Sequence, residues 1–542
     1  MIKPLHIFLF LSALFLTSLG IAYVFPEEGI PLGEDTAIRF ASLEEILQQE
    51  EDTVEAIDVV ALLETYEEEF DSTAIKDSIR LAEIAYRKMI MRIQYPEGQK
   101  ARLPIFFQSL KTLQSGRAVK IVHYGDSQIE GDRISAHLRN SLQKTFGGSG
   151  PGFVAIKSVV DKFSISKSIS DNWSRYAAFG IRDSLLHHRK FGMYGSYSRF
   201  TPSLPDSVLF PQQTIIKIDT VISDVAPLDS AFADSLTQNA LPVPDTLITM
   251  DTVIIEAVEP ALDLTDTVRA WVEFRPSGIA FNTAKKYNRM RILLGNIKVP
   301  FQLKTLVNDS LVSTTSYFPG DDGVHEEFFT SSPDLIRLEF AGAYSPDIYG
   351  VLLENTSGIQ LDNVAMRGSS GVYFTRINYA QFARQLNREP IKLILFQFGG
   401  NSVPYITSDR HEKWYEKNLK KQLKLLRELN PDTDIVVIGP SDMSVKVKTK
   451  YVTHPRLESV RDLVRRTAFE YGCGFWDTYE VMGGKNSMPA WVNATPRLGT
   501  TDYVHFTPKG AAKVGRLFFD ALFKDYQDAQ KNNTNGSTDE AP

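Results

Sequence analysis

The chain has 542 residues, 43% hydrophobic, 11% aromatic and 23% charged, which is too long for one ordinary core and excludes a wholly disordered, collagen-like or multi-span membrane protein. A single cysteine, Cys473, excludes an intramolecular disulfide and a thiolate metal cluster. The net charge of −7 is a composite: Glu27–Asp71 holds 16 acidic residues against one basic, Ile218–Val268 holds 10 against none, and the rest carries 58 basic against 40 acidic.

After Met1-Ile2-Lys3, an apolar run without formal charge extends from Pro4 to Phe25. It is long enough to cross a bilayer as a helix, and Lys3 ahead of it with Glu27-Glu28 behind it places the N-terminus in the cytoplasm. Residues 1–25 are therefore expected to be a membrane anchor or an export signal, with everything downstream exported. Residues 26–100 are acidic and then helical in pattern, with Ile57, Val60, Ala61 and Leu63, and later Ile79, Ile84 and Met89, at amphipathic spacing. They predict a helical spacer.

At residue 118 the pattern changes. Ala118–Tyr124 reads as a short apolar strand ending in Gly125-Asp126-Ser127, and a helix follows with Ile134, Leu138, Leu142 and Phe146 at steps of four. Gly147-Gly148 and Gly150-Pro151-Gly152 stop it. Residues 161–359 hold short β-rich runs between turn clusters, including 215–218, 252–255 and 335–340, and predict a β-sandwich. Strand–helix alternation returns over 360–527, with apolar runs at 364–366, 393–398 and 435–438 and striped helices near 411–429, 456–471 and 509–525. That is a parallel α/β pattern. The economical division is one α/β domain, 101–160 and 360–527, split by a β-rich insert, with a disordered tail over 528–542.

The chemistry-bearing residues sit on the α/β parts. Ser127 stands at the C-terminal end of a strand, where α/β domains build sites, and is expected to open the following helix, whose N–H groups would face an incoming negative charge. A serine nucleophile needs a base, and two of the nine histidines follow an aspartate by three residues. That spacing lets a carboxylate reach its histidine from one loop. Asp322–His325 falls in the β-rich insert and reads as a surface turn. Asp502–His505 precedes the last α/β helix and is preferred. Phe396-Gln397-Phe398-Gly399-Gly400-Asn401 runs a strand into a glycine turn, where an asparagine amide can donate to a developing oxyanion.

Gly125-Asp126-Ser127, Gly399-x-Asn401 and Asp502-x-x-His505, in that order, resemble the SGNH (GDSL-type) hydrolases. The resemblance implies a flavodoxin-like three-layer domain, Ser127 as nucleophile, His505 as base and Asp502 as its orienter. It also implies an oxyanion hole from the N–H of Ser127, the N–H of Gly368 (favoured over Gly371) and the side chain of Asn401, with no metal or organic cofactor. Two departures stand out: Gln128 follows the serine where many members have leucine, and Ser402 follows the asparagine where many have an acid. Residues 125–132 and 146–153, with the inserted β-rich part, look like bacterial peptidoglycan O-acetylesterases. That likeness implies a periplasmic esterase acting on an acetylated polysaccharide, peptidoglycan above all, held to the membrane by its N-terminal segment and with no nucleic-acid partner. The alternatives are a membrane-anchored O-acetyltransferase with the same triad, or a glycan-binding protein with an inactive site.

Overall fold

The computed structural model describes residues 72–99, 101–180, 188–204 and 266–535, with 17, 30–31, 37–38, 209, 214–220 and 248–254. Apart from Thr17, the apolar run 4–25 lies outside them, as does most of the acidic segment 26–71. Among the described residues no helix is long and apolar enough to cross a membrane.

The chain divides into units 1–83 and 84–542. In the first, Ile30–Pro31 pairs antiparallel with Ala37–Ile38. The helix α1 runs over Ser72–Ile90. In the second unit Ile90 and Ile93 are already buried, and Gln94 exchanges backbone hydrogen bonds with Phe475 at 2.7 and 2.8 Å. The expected spacer therefore ends before residue 100, because its last turn of chain supplies apolar side chains to the body.

Then come α2 (Pro104–Lys111), β1 (Ala118–Gly125) and α3 (Ser135–Phe146). A β-rich stretch follows: β2 (Gly152–Val154), β3 (Ile165–Ile169), β4 (Ser174–Ala177), β5 (Ser196–Arg199), β6 (Val268–Pro276), β7 (Arg289–Ile297), β8 (Phe301–Val307), β9 (Ser310–Tyr317), β10 (Gly320–Phe328), β11 (Ile336–Gly342) and β12 (Asp347–Glu354). The remaining elements are β13 (Gly358–Ala365), α4 (Tyr379–Arg388), β14 (Ile391–Gln397), α5 (Asp409–Leu429), β15 (Asp434–Ile438), the hairpin β16 (Ser444–Val447) and β17 (Lys450–Thr453), α6 (Leu457–Glu470), β18 (Gly474–Trp476) and α7 (Pro508–Asn535).

β13, β1, β14, β15 and β18 form one parallel sheet in that spatial order. Numbered along the chain the order is 2-1-3-4-5, the flavodoxin-like arrangement, whose direction reverses between the first and third strands. Alternate strand residues point to opposite faces. Val122, Tyr124, Ile394, Phe396, Val437 and Phe475 join α4, α5 and α6 in one core. Val119, Ile121, Leu393, Leu395, Val436 and Trp476 join α2, α3 and α7 in another. The result is a three-layer α/β body, as expected.

The β-rich stretch forms two further sheets, β9-β8-β11-β6-β3 and β10-β7-β12-β5-β4, with β2 also paired to β12. All their pairings are antiparallel. Val272, Phe274, Leu303, Leu338 and Phe340 of one share a buried cluster with Met290, Ile292, Ile348 and Val351 of the other. Strands Thr214–Thr220 and Ile248–Ile254 pair separately.

Three boundaries move from the sequence expectation. β2 pairs into these sheets from residue 152, ahead of the expected passage at 160. β13 returns to the central sheet at Gly358. The last helix continues through 528 to Asn535, because Asp525 and Asp528 are tied at 2.5 and 2.7 Å to Arg92.

Candidate active site

β1 and β14 flank the point where the strand order reverses, and their C-terminal ends deliver Gly125-Asp126-Ser127 and, through a 3₁₀ turn at Gly400–Tyr405, Asn401. Ser127 does not open the helix directly. A short 3₁₀ turn at Glu130–Asp132 intervenes and α3 begins only at Ser135. Ahead of it Asp126 folds the chain into a turn at 126–128, its Oδ1 accepting from the Gln128 N–H at 2.9 Å. The helix-terminus argument for Ser127 therefore does not hold, and its surroundings are set by this turn.

Ser127 Oγ lies 2.9 Å from His505 Nε2, and His505 Nδ1 lies 2.7 Å from Asp502 Oδ2. The loop carrying the pair is fixed by its own hydrogen bonds. Asp502 Oδ1 accepts from the N–H groups of Val504 and His505, both at 3.0 Å, and from Thr500 Oγ1 at 2.5 Å. Tyr503, at φ 58°, turns the chain between the two, and its ring stacks on Tyr451 of the β16–β17 hairpin at 3.6 Å. Burial pushes the Asp502 carboxyl upward, but those donors outweigh it and hold the group well below the usual carboxylate range. Asp502 therefore stays ionised beside the ring, as a group that orients a histidine must.

Asn401 Nδ2 donates to Asp126 Oδ2 at 2.9 Å and to Ser369 O at 3.2 Å. Its support comes from Asp126, which precedes Ser127, and not from Ser402, whose hydroxyl donates to Gly399 O at 2.6 Å. Asp126 is buried, and burial pushes its carboxyl up to about 6 against the donors around it. Gly368 follows β13 in the left-handed region at φ 77° and is exposed, and among the described residues its N–H takes no partner. The Gly371 N–H is committed to Ser369 Oγ at 3.1 Å, which favours Gly368 of the two. Asp126, Ser127, Gln128, Asn401, Tyr405 and Val504 are among the residues lining a small cavity of about 140 Å³.

Two residues beyond the predicted set hold the site together. Gln128 Nε2 donates to Val504 O at 2.8 Å and to Ser441 Oγ at 3.3 Å, joining the nucleophile turn to the histidine loop. The unusual residue after the serine was the signal for it. Arg133 donates to the carbonyls of Ser127 and Glu130, and nothing in the sequence pointed to it. His325 lies elsewhere: its ring nitrogens meet Tyr317 and Glu327 at 2.8 and 2.9 Å, and Asp322 pairs with Arg384 instead.

Fold and side chains together define a serine ester hydrolase on a parallel α/β body. Residues 334–513 match the family of GDSL-like lipases and acylhydrolases, about a third of the chain. The match spans Gly368, Asn401, Asp502 and His505 and leaves out Ser127, which lies ahead of the intervening β-rich residues. Among solved structures, a peptidoglycan O-acetylesterase is similar over 81% of this chain and 99% of its own, at 17% identity and a TM-score of 0.55. An acetyl xylan esterase (16% identity, 31% of this chain and 83% of its own, TM-score 0.24) and an acetylxylan esterase from Geobacillus stearothermophilus (17%, 31% and 73%, 0.23) match over smaller parts. No curated protein matches the sequence.

Proposed function

We propose that the protein is an exported acetylesterase that removes O-acetyl groups from a cell-wall polysaccharide, with peptidoglycan as the substrate. The observation that carries the reading is the unbroken hydrogen-bonded line Ser127–His505–Asp502 at the point where the strand order reverses. Ser127 Oγ attacks the acetyl carbonyl as His505 Nε2 takes its proton, and Asp502 steadies the imidazolium that forms. The Ser127 N–H and the Gly368 N–H donate to the oxyanion, and the Asn401 amide joins them by giving up one of its two bonds, to Asp126 or to Ser369. His505 returns the proton to the leaving sugar oxygen, and water then releases acetate from the acetyl-serine.

The likeness in fold to a peptidoglycan O-acetylesterase along nearly its whole length supports the choice of substrate. In this reading residues 152–357 are an inserted β-sandwich that holds glycan, and residues 4–25 anchor or export the chain to the periplasm. The test is acetate release from O-acetylated peptidoglycan by the full chain and by Ser127→Ala. Release that survives in the variant would sink the esterase reading. Transfer from an acetyl donor to deacetylated glycan, without release in water, would replace it with an acetyltransferase. Glycan binding with neither activity would mark an inactive site.

A further inference from the structure

A second cavity, of about 240 Å³, is walled by the segments that carry the nucleophile and Gly368: Glu130 and Gly131 follow Ser127, and Met366 and Arg367 precede Gly368. The β-rich part supplies its other wall, including Lys162 and Arg175. Its charge is unbalanced. Glu130 is the carboxylate in the lining, and it is already engaged by Arg367, at 2.7 Å to Nη2 and 2.8 Å to Nε.

Among the described residues neither Lys162 nor Arg175 has a carboxylate at ion-pair distance. Lys162 Nζ donates to the carbonyls of Phe153 and Asn363, and the nearby acids are committed elsewhere, Asp132 to Arg139 and Asp362 to Lys120. Among the described residues the Arg175 guanidinium has one polar contact, the Met366 sulfur at 3.8 Å. Burial pulls the Lys162 ammonium down to about 8 and lowers Arg175 as well, which is how cations held without an anion behave. Near Arg175 the buried Tyr373 hydroxyl has no hydrogen-bond partner among the described residues. Arg175, in the wall of a cavity lined also by the segment that follows Ser127, thus has no oxygen acceptor among the described residues. A planar guanidinium is shaped for a carboxylate.

We infer that this cavity binds a carboxylate carried by the acetylated glycan, with Arg175 as its main ligand and Lys162 beside it. The inference rests on the esterase reading and names the substrate class within it. The enzyme selects acetyl esters on an anionic sugar chain, because the carboxylate seats next to Gly368 while the ester reaches Ser127.

The test uses O-acetylated muramoyl glycan strands with free carboxylates and the same strands after carbodiimide amidation, with p-nitrophenyl acetate as a small neutral ester. Amidation is expected to lower kcat/KM at least tenfold for the natural protein. Arg175→Gln and Arg175→Lys should lower kcat/KM on the free-carboxylate strands and keep p-nitrophenyl acetate hydrolysis within twofold, and Arg175→Gln should no longer distinguish the two glycans. A binding arm removes the dependence on turnover: Ser127→Ala should hold deacetylated free-carboxylate strands at least tenfold more tightly than amidated ones. Equal kcat/KM on the two glycans, or equal binding of them, would overturn the inference. Loss of p-nitrophenyl acetate hydrolysis in the natural protein, with selective binding retained, would overturn the esterase reading and leave the carboxylate site standing.

Discussion

Replacing Asp126 with asparagine keeps the shape of the side chain and removes one acceptor. In the natural protein each carboxylate oxygen takes one donor, Oδ1 the Gln128 N–H and Oδ2 the Asn401 amide. An asparagine offers one oxygen and one NH₂, so either the turn or Asn401 must face a donor with a donor. Losing an oxyanion donor outright costs on the order of 100- to 1000-fold in kcat; misdirecting Asn401 is expected to lower kcat about tenfold or more, with KM little changed. Stability moves the other way with pH. The carboxyl sits at about 6 in the folded protein against 3.8 for the free group, because it is buried. The folded state therefore holds this proton more tightly than the unfolded state. The contribution is complete below about pH 4, is lost as pH rises through 6, and is flat above. At about 1.4 kcal/mol per pH unit that is on the order of 3 kcal/mol. Urea unfolding of Asp126→Asn at pH 4 and 7.5 should show a pH difference smaller by about that amount; Asp477, also raised to about 6 by burial, keeps its own share. A variant with kcat within twofold of the natural protein and an unchanged pH difference would refute both halves of the reasoning.

Lys120→Met should destabilise the protein by about 3–5 kcal/mol, read as a lower urea midpoint, because it strands carboxylates that the buried ammonium now neutralises. Gly510→Ala should lower kcat on the order of 100-fold with the fold retained, since its Cβ would stand 2.0 Å from Leu498 O and the push is passed to the loop carrying His505. Circular dichroism with steady-state kinetics separates that outcome from unfolding.

The α/β body was legible because its strands alternate and its helices are striped, two periodicities a sequence displays directly. Ser127, Asn401, Asp502 and His505 were legible because each lies on a short local motif whose geometry is set within a few residues. What escaped depended on long-range pairing. Gln128 matters through Val504 and Ser441, both far away along the chain; Arg133 is the exception, a local contact to the carbonyls of Ser127 and Glu130 that no motif marks. The start of the β-rich part at residue 152 was hidden because a three-residue strand, Gly152–Val154, carries too short a pattern to read, and its partner lies some 200 positions on. The expected end of α7 failed for the same reason: the polar residues after 527 look like a tail until Arg92 is placed beside Asp528.

The placement of the β-rich part explains how a site can survive an interruption of this size. The chain leaves after the first strand of the parallel sheet and returns as the edge strand β13 beside it, so the detour breaks no ladder between inner strands. The junction is closed by charge. Lys120 of β1, fully buried, lies 3.1 Å from Glu354 of β12, 3.2 Å from Asp362 of β13 and 2.7 Å from Glu389, and Arg291 of β7 reaches Glu354 and Glu389 at 2.6 and 2.7 Å. Glu354 and Arg291 come from the β-rich part, and Lys120, Asp362 and Glu389 from the body. Desolvation would make any one of these groups costly alone, so the set is favourable only when both parts are seated together. Lys120 lies on β1, whose end carries Ser127, and Asp362 on β13, which leads to Gly368. The contacts that seat the β-rich part against the body therefore lie on the two strands that lead to Ser127 and to Gly368.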